Sequence, residues 1–168
     1  MDPDAALRIE LAVQAGDWSA VDAEHRTGPI ERAVAGRLDT AVGTMTLVLA
    51  DDAMVRDLNR RFRGKDKPTN VLSFPADEPV EAGMADADRY LGDVVVAAET
   101  LAREAHDEGK AVEHHFDHLV VHGTLHLLGY DHESDKEADR MESLETAILA
   151  DLGIADPYAE PALPEGAR

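Results

Sequence analysis

The sequence predicts an α/β (α+β) fold: a single domain with a small four-stranded mixed sheet and about five to six helices. Three observations carry that expectation. Short strand-like apolar stretches recur in the first half, the first of them with period-two alternation, helical patterns intermix with them, and the chain from about residue 97 onward reads as helix. A chain of 168 residues can bury one core of its own, and it shows no internal repeat. The domain is expected over residues 1–155.

In residues 7–13 the apolar side chains Leu7, Ile9, Leu11 and Val13 fall at alternate positions, the mark of a half-buried strand. Pro29 suits the start of a helix carrying Ile30, Ala33, Val34 and Leu38 to the core, because a first-turn N–H has no helical partner to lose. Residues 44–50 read as a second strand. Asp51 or Asp52 then caps a helix through Phe62, and Pro68 closes that connection. NVLSFP, residues 70–75, is a short strand; the acidic, glycine-containing stretch 76–89 is an exposed loop; LGDVVV, residues 91–96, is the fourth strand. Helices follow at about 97–108, 112–128 and 134–152, with Gly153 ending the last. The tail AEPALPEGAR is poor in core-forming residues, and residues 156–168 are expected to be disordered.

Composition narrows the chemistry. The chain has no cysteine, so disulfides and thiolate metal sites are excluded, and a transition metal would need imidazole, carboxylate or water. MDPDAALRIE carries no signal-like apolar region, and no stretch approaches the roughly 20 apolar residues of a membrane span. A cytoplasmic protein without a membrane partner is the expectation. The net charge of -19 opposes wholesale binding to a polyanion. Against that background, Arg56, Arg60, Arg61, Arg63, Lys65 and Lys67 stand close together with only Asp57 and Asp66 among them. This run is either a solvated helix face or a local phosphate-facing patch, in which Arg60, Lys65 and Lys67 are candidate substrate contacts.

HGTLHLLGYDH, residues 122–132, is the most informative stretch. It has the spacing of the long zinc-peptidase pattern H-E-x-x-H-x-x-G-x-x-H, with Gly123 where those enzymes place their glutamate base. His122 and His126 project from one helical face about 6 Å apart along the axis. A continued helix would carry His132 roughly 9 Å beyond His126, too far for metal bonds of about 2 Å. The helix must therefore stop and turn, and Gly129 sits where a left-handed residue is needed. Three imidazoles with an open fourth position suit one catalytic zinc per chain, with other divalent metals open. The missing glutamate lowers the negative charge near the ion, which favours an anionic phosphodiester; equally, Gly123 can serve close packing of a strand on the helix.

Other residues have weaker claims. His114 and His118 extend the four-residue spacing, and His118 is a candidate outer hydrogen-bond partner or a satisfied core histidine. Asp131 can orient His132 or a metal-bound water, or simply belong to a tight turn. Met141 falls inside a helix and reads as core. Ser73 and Asp93 lie in strands, where substrate contact and internal hydrogen bonding are both open.

HGTLHLLGYDH, LNRRFRGKDKPTNVLSFP (residues 58–75) and LGDVVV resemble the signatures of the YbeY endoribonuclease family. The resemblance covers roughly residues 7–152. It implies a single α/β domain with a four-stranded mixed sheet, a metal held by His122, His126 and His132, and Arg63 as an arginine important for activity. It also implies hydrolytic cleavage of single-stranded RNA by a metal-activated water, in 16S ribosomal RNA 3'-end maturation and ribosome quality control. Ribosomal RNA is then the substrate, with the small subunit, ribosomal proteins or a GTPase as partners and no role for DNA. The other readings are a metal-dependent hydrolase of a peptide and a ribosome-associated binding protein with a structural metal.

Overall fold

The computed structural model describes residues 7–38, 43–76, 89–131 and 133–155. The loop expected at 76–89 lies almost wholly outside the described residues, and the tail at 156–168 lies entirely outside them. In chain order the elements are β1 (Leu7–Val13), α1 (Ala23–Arg37), β2 (Gly43–Ala50), α2 (Asp52–Arg63), β3 (Val71–Pro75), β4 (Tyr90–Ala97), α3 (Ala98–Asp107), α4 (Val112–Leu127) and α5 (Asp135–Asp151). The sheet runs β1-β2-β4-β3, with β1, β2 and β4 parallel and β3 antiparallel to β4. It is the expected α/β fold with a four-stranded mixed sheet.

Period-two alternation distributes the strands over two unequal cores. Met45, Leu47 and Leu49 of β2 and Leu91, Val94 and Val96 of β4 face a large cluster shared with α1, α4 and α5. Ala50, Val95 and Ala97 face the other side, where Val55 of α2 closes a small one with Leu72. Helix α4 is the central element of the large core, packed against β3, β4, α1, α3 and α5. Phe116, Val120, Val121 and Leu125 are fully buried there.

Local signals account for the ends of two helices. The Asp51 side chain accepts from the Met54 N–H at 2.8 Å, and Gly64 closes α2 in the left-handed conformation. Ser134 accepts from the Glu137 N–H at 3.1 Å and starts α5. Helix α1 departs from expectation: it begins at Ala23, so Pro29 lies inside it rather than at its start. The early turns are held by a distant contact. Arg26 forms a two-pronged pair with Asp117 of α4, at 2.7 and 2.6 Å, and the Asp117 side chain is 2% exposed. Such a pair stabilises the first turns of α1 against the hydrogen bond that Pro29 cannot make.

Candidate metal centre and its cleft

His122 and His126 occupy the last turns of α4, with their Nε2 atoms 3.1 Å apart and ring planes crossed at 79°. Two metal–nitrogen bonds of about 2.05 Å meeting at about 100° would place their nitrogens about 3.1 Å apart. The two imidazoles therefore fit the bite of a tetrahedral ion. Helix α4 ends as its sequence requires. Gly129 takes φ +98°, its N–H bonds to the His126 carbonyl, and the Tyr130 N–H reaches back to Leu125, both at 3.1 Å. This paired C-terminal arrangement reverses the chain. His132, the third expected ligand, lies outside the described residues. Among the described residues no group of three metal-binding side chains is found.

Behind His122 stands Glu145 of α5, a carboxylate with no solvent exposure. Its Oε1 lies 2.5 Å from His122 Nδ1 and its Oε2 lies 3.4 Å from His118 Nε2. Sequence reasoning passed over this residue. The available signal was an acid on the buried stripe of α5, where Met141, Ile148 and Leu149 are all core. The local charge is thus not reduced as the Gly123 argument expected, because α5 brings a carboxylate to the far side of the His122 ring. His114 is exposed, and the ring that meets His118 from its other side is the buried His115, centroid to centroid 5.9 Å.

Gly123 has a packing explanation. A Cβ built there would approach Val94 to 2.7 Å and Ser73 Oγ to 3.1 Å, so even alanine would require the Val94 side chain or its strand to shift. The Ser73 hydroxyl donates to the Gly123 carbonyl at 3.1 Å and ties β3 to α4 at this close approach. Met141 is fully buried, as read from the sequence. Asp93 accepts from the Tyr90 hydroxyl, which also bonds Thr46 at 2.7 Å.

The imidazoles open onto a cleft of about 470 Å³ lined also by Arg63, Val71, Ser73, Pro75, Gly129, Tyr130 and Asp131. Of the basic run, only Arg63 lines it. Its Nη2 donates to the Ser73 carbonyl at 3.1 Å, and its guanidinium carbon lies 6.0 Å from the centre of the Phe74 ring. Among the described residues no carboxylate pairs with it. The other arginines differ: Arg56 pairs with Asp66 at 2.8 Å, and Asp57 takes Arg60 at 2.7 Å and Arg61 at 3.5 Å. Arg60, Lys65 and Lys67 do not line the cleft; the backbone around both lysines is folded onto the end of α2 by bonds to Asn59.

Electrostatics differ between the buried helix and the exposed one. Burial raises the carboxyl pKa of Asp117 in α4 despite the opposing Arg26 guanidinium. Asp52, at the start of α2, is also penalised by burial, but bonds from Thr100 and Arg103 outweigh it and lower its pKa.

A family model described as Endoribonuclease YbeY matches residues 21–153. An "Endoribonuclease YbeY" of Paramagnetospirillum magneticum is 51% identical over 160 residues, covering 92% of this chain and 96% of its own length. One from a Chelativorans species is 52% identical over 159 residues, covering 92% and 94%. The solution structure of a Thermotoga maritima protein superposes with a TM-score of 0.54 at 23% identity, over 92% of this chain and 99% of its own, which shows a shared fold. The match spans both the helix that carries the paired imidazoles and the strand–helix frame around the cleft, and the chain belongs to the YbeY endoribonuclease family.

Proposed function

We propose that this protein is a zinc-dependent endoribonuclease that cleaves single-stranded ribosomal RNA in 16S 3'-end maturation and ribosome quality control. The observation that carries the reading is one cleft lined by both the His122 and His126 imidazoles and the Arg63 guanidinium. His122, His126 and His132 would hold the ion. A bound divalent ion supplies a water of lowered pKa and polarises a phosphoryl oxygen. Arg63 places two directed N–H donors where charge develops on the phosphate, and no side chain of opposite sign among the described residues neutralises it. Ser73 and Gly123 keep β3 close to α4, so the arginine and the imidazoles face one phosphodiester.

The net charge of -19 favours delivery by a protein partner over capture of free RNA. A ribosomal protein or a GTPase of the small subunit, in the cytoplasm, fits that role. The deciding experiment uses purified full-length protein with quantified metal, a structured ribosomal RNA fragment, a peptide substrate and a His126→Ala control. RNA cleavage lost only in the variant supports the nuclease. Peptide cleavage alone would replace it with a peptidase, and equal RNA cleavage by both proteins would point to contamination and a binding role.

A further inference from the structure

Glu145 occupies a position that packing alone would give to an aliphatic residue. It stands in the stripe of Met141, Ile148 and Leu149, and none of its side chain meets water. A buried carboxylate is strongly disfavoured unless donors satisfy it, and a hydrophobic residue of similar size is commonly the more stable choice. One partner here is the His122 imidazole, and the His118 imidazole lies nearby. Oε1 lies 2.5 Å from His122 Nδ1 and Oε2 lies 3.4 Å from His118 Nε2. An ionised carboxylate only accepts, so with Glu145 ionised this contact requires the His122 proton on Nδ1. The lone pair is left on Nε2, which points to His126 Nε2 3.1 Å away.

We propose that Glu145 is a positioning residue: it fixes the ring plane and tautomer of His122 so that Nε2 faces the cleft as an electron-pair donor. This role rests on the metal-centre reading given above. Glu145 also resolves the substitution at Gly123. The close approach of Val94 leaves no room for a side chain next to His122. The acid is supplied from α5, on the opposite edge of the ring, where it can orient the imidazole without occupying the cleft.

The test compares full-length wild type, Glu145→Gln and Glu145→Leu. Imidazole nitrogen NMR shifts of His122 are read after chelation of metal, zinc affinity is read by competition with a chromophoric chelator, and folding is read by thermal unfolding. Wild type should show protonated Nδ1 and bare Nε2. Glu145→Leu should keep cooperative unfolding, move the His122 proton toward Nε2 and bind zinc about 10–100-fold more weakly. Glu145→Gln keeps one acceptor oxygen and should fall between them. An unchanged His122 tautomer in the folded variants, or zinc affinity equal to wild type, would overturn the role. If Glu145→Leu does not fold, the near-isosteric Glu145→Gln decides by the same two readouts. Should wild type bind no metal while the tautomer still moves, the metal-centre reading falls and the positioning of His122 stands.

Discussion

Helices α4 and α2 both deliver residues to the cleft, and they are built in opposite ways. The helix that carries the imidazoles is embedded: sheet, α1, α3 and α5 pack around α4, and a buried acid stands behind His122. The arginine end of α2 lies over the smaller core, with Phe62 64% exposed beside Arg63. Ion binding benefits from the first design, since ligands held before binding lose little freedom when the ion arrives. Phosphate contact tolerates the second, because a guanidinium reaches its partner at low cost from a solvated helix end.

The sharpest break of this contrast is His126→Ala, which removes a proposed ligand from the rigid side. Zinc affinity should fall by more than the roughly 100-fold that bounds the loss of an outer partner, and RNA cleavage should go with it. Metal analysis beside a cleavage assay checks both. On the exposed side, Arg63→Ala should retain full metal content and melting temperature while losing about 10²–10³-fold in cleavage. Arg63→Lys should recover little, as it restores charge without the two-pronged geometry. Equal loss of metal in both variants would mean that the helices are not independent.

Acid titration separates the helices by sign. Asp52 of α2 has its folded pKa below the ordinary 3.8, so it contributes stability above that value that disappears as pH falls through the folded pKa. Asp52→Asn should therefore be destabilised at neutral pH and approach wild type in acid. Asp117 of α4 has its folded pKa raised above 3.8, so wild type loses stability as pH rises from 3.8 through that folded value. The Asp117→Asn variant should lack this decline. Denaturation midpoints between about pH 2 and 7 read both slopes. The smallest effect belongs to the surface pairs: Arg60→Ala should change stability by less than about 1 kcal/mol. If Arg60 touches RNA, a binding series across salt concentrations should give the variant a slope shallower by about 0.7 for each phosphate it no longer neutralises.

Features decided within a few residues were legible in the sequence. The H-x-x-x-H-x-x-G spacing fixes one helical face and its reversal, because helix geometry and the glycine conformation act locally. Alternation in β1 and short apolar runs in β2 through β4 located the strands within a residue or so for the same reason. Long-range choices escaped. Helix α1 starts early through Arg26 and Asp117, 91 residues apart. The acid behind His122 comes from 23 residues further along the chain. Which arginine reaches the cleft depends on where β3 lies: Arg63 meets the Ser73 carbonyl, while Arg60, on the same short helix, meets Asp57. Residue type alone does not separate the two.

The bond from Arg63 to Ser73 has a protective consequence. Strand β3 is at the margin of the sheet and only five residues long, ending in Pro75. Margins of this kind invite another extended chain to pair along them, whether a peptide substrate or a neighbouring copy. Here a backbone acceptor of that strand is occupied by a guanidinium, and a proline removes a donor at its end. The side chain proposed to meet a phosphate in the cleft therefore also turns polypeptide away from its border.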